Sequence, residues 1–300
     1  MSSEALLYTE MVTAPAIIHG DKDRLLGFHG DEHPVALQLG GSDPKQLAQA
    51  TQIAAGYGYD EINLNCGCPS DRVQSGSFGA ILMESPDVVA DCVRAMRDVT
   101  DLPVTVKCRI GVDDQVPRDI LPDFLAKVSA AGVDRFTIHA RKAWLKGLSP
   151  KENRDVPPLD YELVHEMKGL FPHLHLSVNG GVTTLDEARH FLEAGLDGVM
   201  IGRSAYHSPA DVLLKADAKI FGKGSTQSAE DIVHLMVPYI TQHLAQGGRL
   251  NQITRHMIGL FQGRPGARMW RRYLSENATG TGADEAVLLQ ALTYVTQEAA

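Results

Sequence analysis

The 300-residue sequence is poor in cysteine, in aromatic residues and in long apolar runs. Four cysteines are too few for a disulfide framework, so we expect reduced thiols in a cytoplasmic protein. No run of about 18 apolar residues occurs, so no membrane span is predicted. The N-terminal MSSEALLYTE has no basic segment before an apolar one, and no secretory signal is predicted. With 44% hydrophobic residues, the chain can form a large core, as one domain or as a barrel with an appendage.

Positive charge is scarce overall, since the formal net charge is -9, but it is concentrated in one segment. Residues 247–274 contain no aspartate or glutamate. The arginines of this segment are Arg249, Arg255, Arg264, Arg268, Arg271 and Arg272. An acidic protein with one basic segment can bind RNA at one face and stay soluble. The same pattern is also typical of an ordinary solvated helix surface.

Short apolar runs typical of β-strands alternate with amphipathic segments typical of helices. The strand-like runs are 6–12, 35–40, 61–65, 104–111, 135–140, 174–181 and 198–203. The helix-like segments between them are 44–58, 85–99, 120–133 and 184–195. Asp43 and Ser85, each followed by proline, are predicted N-caps. This alternation predicts right-handed βα units on a parallel sheet, an α/β fold with seven visible strands.

The strand pattern ends near residue 225. Residues 228–247 read as an amphipathic helix with Ser228 as its cap and a Gly-Gly stop. Three further helical segments follow at 253–263, 266–278 and 283–299. We therefore expect residues 1–225 to form the α/β domain and residues 226–300 to form an all-helical domain.

Polar side chains cluster at the C-terminal ends of the predicted strands, where a (β/α)8 barrel places its active site. They are Gln38, Asn65, Lys107, His139, Asn179 and Arg203. The glycine-containing segments VNGG (178–181) and IGR (201–203) follow the last two strands. Many barrels bind a phosphate there. The pattern indicates a phosphate group, which both a flavin nucleotide and a phosphosugar carry.

Residues 61–83, EINLNCGCPSDRVQSGSFGAILM, place Cys68 between a glycine and a proline just after an apolar strand. A thiol on such a loop is positioned for chemistry, whereas an isolated cysteine is more often a small buried side chain. The surrounding residues favour chemistry: Asn65, Gly67, Gly76 and Gly79. Cys66 raises the further hypotheses of a metal site or of a disulfide with Cys68. No second Cys/His pair has zinc-like spacing, so we expect no metal.

The segments 61–83 and 253–278 resemble the tRNA-dihydrouridine synthases, and in particular the subfamily acting on D-loop uridines 20 and 20a. The resemblance runs from Leu6 to about Ala278. It implies a (β/α)8 TIM-type barrel followed by a C-terminal helical domain. Members of the family begin with an additional β/α unit, and this sequence begins at what resembles their second unit. We therefore expect a barrel that is open between its first and last strands.

The resemblance also implies a function, the FMN-dependent and NADPH-using reduction of uridine to 5,6-dihydrouridine in tRNA. The flavin would deliver hydride to C6, and Cys68 would protonate C5. Gln38, Lys107 and His139 resemble flavin-contacting residues of the family, with the lysine stabilising the anionic reduced flavin. A strand-end histidine alone is more often structural. No GxGxxG fingerprint is present, which suits a pyridine nucleotide that binds transiently.

In the family, the phosphate cradle would hold FMN through residues that resemble Asn179, Gly180, Gly181, Gly202 and Arg203. The implied partner is tRNA, and Asn65 resembles the asparagine that reads the flipped uracil. The implied RNA-contacting residues are Arg141, Lys142 and Arg154 in one loop, and Arg255, Arg264, Arg268, Arg271 and Arg272 in the helical domain. The loop at 141–154 also fits an ordinary basic loop. We expect a monomer without a metal or a membrane partner.

Two other functions stay open. The first is an FMN barrel that reduces a small molecule, against which the arginine-rich helical segment argues. The second is a tRNA-binding protein without catalysis, which would follow if the missing first unit weakened FMN binding. Flavin colour and tRNA binding distinguish the three.

Overall fold

The computed structural model describes residues 1–70, 78–224 and 227–296. The chain forms two compact units. The barrel unit consists of Leu6–Val182 and Ala188–Met200, and the helical unit consists of Met1–Ala5, Thr183–Glu187 and Ile201–Ala300. In the described part of the chain, no helix is long and apolar enough to cross a membrane.

The strands of the barrel unit form one parallel sheet. They are β1 (Leu7–Tyr8), β2 (Val12–Thr13), β3 (Val35–Gly40), β4 (Glu61–Cys66), β5 (Val104–Arg109), β6 (Arg135–His139), β7 (His175–Asn179) and β8 (Gly198–Met200). From β3 to β8 each strand pairs with the next, and both β1 and β2 pair with β3. Among the described residues no pairing joins β1 to β8. The predicted parallel α/β sheet, open between its first and last strands, is confirmed.

The run 6–12, predicted as one strand, is two short strands. The backbone N–H of Gln38 donates to the Thr9 hydroxyl over 3.0 Å instead of to a strand carbonyl. This side-chain bond interrupts the ladder between β1 and β2. The sheet keeps seven strand positions, because β1 and β2 share one edge of β3.

The two faces of the sheet differ in polarity, because successive strand side chains alternate between them. Leu37, Leu39, Ile62 and Leu64 lie in the main apolar core together with helix residues such as Val93. The other face, the inner face, carries Gln38, Glu61, Asn63, Asn65, Thr105 and Lys107. In many barrels branched apolar layers fill this space. Here the inner face is polar enough to form a site.

The described helices that alternate with the strands are α1 (Ala14–His19), α2 (Lys22–Leu26), α3 (Pro44–Ala55), α4 (Pro86–Arg97), α5 (Pro117–Ala130), α6 (Tyr161–Leu170) and α7 (Leu185–Glu193). The predicted cap of α3 is confirmed, since Asp43 Oδ1 accepts from the Gln46 N–H over 2.8 Å. Ser85, predicted to cap α4, makes no side-chain capping bond. Helix α5 begins at Pro117, before the apolar pattern does, because proline suits the first helical position.

The helical unit contains α8 (Arg203–His207), α9 (Pro209–Lys219), α10 (Ala229–Ala245), α11 (Leu250–Thr254), α12 (Ala267–Asn277) and α13 (Glu285–Thr296). The predicted cap is confirmed, because Ser228 and Asp231 form a capping box. Buried Trp270 packs edge-on against Phe261 with ring centroids 4.8 Å apart. The prediction of a helix over 253–263 is wrong, since α11 ends at Thr254 and turns follow. Gly259 and Gly263 in this stretch disfavour a helix.

Candidate active site

Strand β4 directs Glu61, Asn63 and Asn65 to the inner face, because they are two residues apart. The register places Gln38 of β3 and Thr105 of β5 beside Asn63. Gln38 Nε2 donates to Asn63 Oδ1 over 2.9 Å, and Asn63 Nδ2 donates to Thr105 Oγ1 over 2.8 Å. Gln38, predicted at a strand end, thus lies in the middle of β3, in a buried layer of amides.

Asn65 holds the loop that carries Cys68. Its Oδ1 accepts hydrogen bonds from the backbone N–H groups of Gly67 and Cys68, both over 2.9 Å. Its Nδ2 donates to Gln38 Oε1 over 2.7 Å. The Cys68 side chain is half-buried, and its Sγ lies 3.7 Å from the Ser70 hydroxyl oxygen. The thiol therefore stands at the C-terminal end of β4 on a loop tethered to the inner face.

Lys107 brings a cation to the same end of the sheet, because it lies beside Asn65 in the pairing of β4 with β5. Its Nζ donates to Asn179 Oδ1 over 2.9 Å, and Asn179 Nδ2 donates to the Met200 carbonyl over 2.9 Å. Burial, reinforced by the charge of Arg109, lowers the pKa of Lys107 to about 8. Lys107 is half-buried, and a partly desolvated cation held by a neutral amide favours an anionic ligand.

His139 ends β6 with a buried imidazole. Burial, followed by the charges of Lys107 and Arg109, lowers the pKa of His139 to about 2. The ring is therefore neutral at physiological pH. It lies against Gly180, where a Cβ atom would collide with it.

The loop after β7 depends on its two glycines. Gly180 and Gly181 have φ values of +105° and +77°, which side chains disfavour. The Tyr161 hydroxyl donates to the Gly180 carbonyl over 2.5 Å. This conformation brings the backbone of the predicted phosphate-binding segment close to His139. Gly202 and Arg203 belong to the helical unit, where Gly202 precedes α8 as its N-cap residue, and their part in a phosphate cradle stays a prediction.

Arg109 connects the loop after β4 to the loop after β6, and the sequence pattern indicated no role for it. Its Nε donates to the Gly67 carbonyl over 3.0 Å, and its Nη1 donates to the carbonyls of Lys142 and Asn153 over 3.0 and 2.9 Å. Burial, followed by the charge of Arg154, lowers the pKa of Arg109 to about 10. Its position two residues after Lys107 is the signal that indicates the inner face.

The loop after β6 is ordered around Asn153, which is fully buried. Asn153 Oδ1 accepts from the Trp144 N–H over 2.7 Å, and its Nδ2 donates to the carbonyls of Trp144 and Leu148 over 2.8 and 3.1 Å. Arg154, a predicted RNA contact, follows it on the surface. The loop therefore has a defined conformation that side-chain hydrogen bonds of Asn153 hold in place.

The other predicted RNA contacts of this loop bind backbone atoms. Lys142 Nζ donates to the Asp113 carbonyl over 2.6 Å and lies 4.9 Å from the centroid of the Trp144 ring. Arg141 Nη1 donates to the Pro157 carbonyl. Both side chains are half-buried.

The predicted RNA-contacting arginines of the helical unit differ in their surroundings. Exposed members of the set are Arg255, Arg268 and Arg272. Arg264 is half-buried and pairs with Glu230 over 2.5 Å. Arg271 Nη1 donates to Gln262 Oε1 over 2.9 Å.

The four cysteines are free, so the structure contains no Cys66–Cys68 disulfide. Burial raises the pKa of Cys92 and Cys108 to about 12 and that of Cys66 well above its usual value. Since the thiolate is the reactive form, these three are poor nucleophiles. In the described ranges, no group of three or more His, Cys, Asp or Glu residues could hold a metal ion. Gly76 of the predicted loop lies outside the described residues.

Comparison with known proteins places this chain in a family. The dihydrouridine synthase family matches residues 1–297. The chain is 59% identical over 297 residues to the tRNA-dihydrouridine(20/20a) synthase of Salmonella typhi, covering 98% of this chain and 89% of that protein. It is 58% identical to the protein of the same name from Escherichia coli (strain K12), with 98% and 85% covered. The Vibrio vulnificus protein of that name is 57% identical over 300 residues, with 99% and 91% covered.

A solved structure of DHODH in complex with ferulenol from Eimeria tenella aligns with a TM-score of 0.44 and 12% identity, covering 61% of this chain and 56% of that one. The family match and the three relatives span nearly the whole sequence and confirm the resemblance seen in the motifs. The chain belongs to the dihydrouridine synthase family.

Proposed function

We propose that this protein reduces uridine to 5,6-dihydrouridine in the D-loop of tRNA, at positions 20 and 20a, with FMN as cofactor and NADPH as reductant. The relatives named above are tRNA-dihydrouridine(20/20a) synthases. The observation that carries the proposal is the placement of Cys68, a half-buried thiol on a loop held by Asn65, at the same sheet end as the cation of Lys107. Under this proposal, a proton donor and a site for an anionic cofactor would lie at the same end of the sheet.

The residues present fit a flavin nucleotide. Lys107 supplies a half-buried cation whose partner is the neutral amide of Asn179, so an anionic ring edge would complete its environment. Gly180 and Gly181 would leave their backbone free of side chains toward a phosphate, with Asn179 beside them in the sequence. Neutral His139 would contact the flavin without adding charge. Gln38 would contact its polar edge.

When bound, reduced FMN would supply hydride to C6 of the uracil. Cys68 would give its proton to C5, and its thiolate would regain a proton from solvent. Asn65 has one Nδ2 hydrogen beyond its bond to Gln38 with which to recognise the flipped base. Removing that base from its stack costs a few kcal/mol.

RNA contacts would supply that free energy. Exposed arginines of residues 226–300 would neutralise phosphates, with Arg255, Arg268 and Arg272 the best placed because they face solvent. Arg154 and the aromatic face of Trp144 would contact unpaired nucleotides near the site. Four other predicted contacts would support tRNA binding mainly by stabilising the loops and helices that contain them; they are Arg141, Lys142, Arg264 and Arg271.

The test is a reaction with the purified 300-residue protein. Its visible absorbance is recorded first, and it is then incubated with NADPH and tRNA that lacks dihydrouridine. Nuclease digestion and mass spectrometry locate any dihydrouridine. A yellow protein that modifies positions 20 and 20a supports the proposal. A colourless protein that binds tRNA without reducing it contradicts the proposal and favours a binding protein, and reduction of free uridine but not tRNA favours a small-molecule reductase.

A further inference from the structure

A chain of buried hydrogen bonds on the inner face runs from Glu61, at the start of β4, to the Cys68 loop at its end. Glu61 Oε1 accepts from the hydroxyls of Tyr8 and Thr105 over 2.7 and 2.6 Å. Its Oε2 accepts from Arg135 Nη1 over 2.9 Å. Glu61 is 1% exposed and lies four residues before Asn65, about 13 Å away along the strand. The proposed reaction leaves this residue without a role.

All bonds of the chain run in one direction. Asn63 Nδ2 donates to Thr105, Gln38 Nε2 donates to Asn63, and Asn65 Nδ2 donates to Gln38. Asn65 Oδ1 then accepts from the N–H of Cys68. Each amide gives an N–H toward Glu61 and presents its oxygen toward the Cys68 loop.

The two ends of the chain explain this direction. A carboxylate only accepts, so Thr105 must donate to Glu61 and can accept from Asn63. The backbone N–H groups of Gly67 and Cys68 only donate, so they require the oxygen of Asn65. Reversing any amide between them would set two donors or two acceptors against each other, which is costly in a buried site.

We propose that Glu61 is a positioning residue for Cys68, acting through Thr105, Asn63, Gln38 and Asn65. It fixes the orientation of the three amides and so keeps the oxygen of Asn65 on the Cys68 backbone. The same orientation determines which hydrogen of Asn65 is left for the substrate base. Burial and the Glu61 charge raise the pKa of Tyr8, which therefore remains a donor to the carboxylate. The part of this inference that concerns uridine reduction rests on the proposed function.

The test breaks the chain at Thr105, which lies beside neither Cys68 nor the loop that carries it. Thr105→Val removes the hydroxyl and keeps the shape, whereas Thr105→Ser keeps the hydroxyl and serves as the matched control. Two quantities are measured on folded protein, with thermal unfolding recorded in parallel. One is the rate at which iodoacetamide alkylates Cys68, read from its peptide with the buried cysteines as internal controls. The other is kcat for uridine reduction per bound flavin.

In Thr105→Val, iodoacetamide is expected to alkylate Cys68 several-fold faster, because Asn65 no longer holds the loop in one orientation. The kcat of this variant is expected to fall about tenfold, with an unchanged KM for tRNA. A tenfold loss is what one hydrogen bond contributes when it stabilises the transition state through the position of Cys68. Thr105→Ser should stay near wild type in both. Glu61→Gln, which replaces the acceptor-only end of the chain with a group that can also donate, should change alkylation in the same sense, and it replaces Thr105→Val if that variant fails to fold.

The inference would be overturned if folded Thr105→Val and Glu61→Gln kept the wild-type alkylation rate and kcat while only their unfolding temperature fell. The hydrogen-bond chain would then serve stability alone. Equal effects of Thr105→Val and Thr105→Ser would also overturn it. If the wild-type protein makes no dihydrouridine while the alkylation rates respond as expected, the proposed function fails and the positioning of Cys68 stands.

Discussion

Lys107 and Asn179 are joined across the inner face by a hydrogen bond of 2.9 Å from Nζ to Oδ1. The bond links β5 to the end of β7, just before the glycine pair. The ammonium group has a neutral partner, and its burial lowers its pKa to about 8. The flavin-free protein therefore bears an electrostatic cost that an anionic cofactor would relieve.

This cost predicts how the stability of the flavin-free protein changes with pH. The folded pKa of Lys107 is about 8, below the ordinary value of 10.5, so between these values the unfolded state binds more protons. The unfolding free energy should therefore rise with pH in this window. Urea unfolding should show that wild type gains about 2 kcal/mol relative to Lys107→Met between about pH 7.5 and about pH 9.5. A pH-independent difference between the two proteins would show that Lys107 does not titrate near 8.

His139 should remain neutral throughout the physiological range, because its pKa is lowered to about 2. NMR of the imidazole signals, assigned with His139→Asn, should show no titration of this ring between about pH 5 and about pH 8. A midpoint for His139 within this interval would contradict the burial and charge environment described above.

Asn153 should be essential for the loop after β6. Asn153→Asp places a carboxylate oxygen against the carbonyls of Trp144 and Leu148 and loses both donors. We expect the unfolding free energy to fall by about 2 kcal/mol and hydrogen exchange over residues 144–149 to accelerate. Lys146→Gln, on an exposed residue of the same loop, should change neither quantity. Unchanged exchange in Asn153→Asp would mean that other contacts hold the loop.

Substitutions of Arg268 and of Arg264 should have different effects, one on tRNA binding and the other on protein stability. Exposed Arg268→Gln should weaken tRNA binding and reduce the slope of log K against log salt by about 1, at unchanged unfolding temperature. Arg264 bonds Glu230 over 2.5 Å and lies 5.1 Å from the Phe261 ring, so Arg264→Gln should mainly lower the unfolding temperature. If Arg268→Gln leaves both affinity and salt slope unchanged, the helical segment does not bind phosphates through this residue.

The sequence pattern is sufficient for the sheet order and for most helices, because each strand has a distinct apolar run and a following amphipathic segment. It fails for 6–12, where the Thr9 hydroxyl interrupts the ladder, and for 253–263, where glycines end the helix. Both failures arise from single side chains or backbone positions rather than from the average pattern.

The candidate site shows a similar limit. The motif at 61–83 identifies Cys68 and Asn65, and the pattern of polar strand ends identifies Lys107. All three lie at one end of the sheet. The bonds of Glu61, Asn63 and Thr105 depend on the register of three strands, which no local pattern specifies. Arg109 was missed for the same reason, since its partners Gly67 and Asn153 are far apart in sequence.

The most direct test of the account is a single turnover by Cys68→Ala. Flavin-loaded wild type and variant are reduced with NADPH under anaerobic conditions and mixed with tRNA lacking dihydrouridine, and both flavin reoxidation and dihydrouridine are followed. We expect the variant to bind flavin and to be reduced by NADPH like wild type, but to form dihydrouridine at least about a hundredfold more slowly, because the proton donor to C5 is gone. Dihydrouridine formation at the wild-type rate would contradict the assignment of Cys68 as the acid.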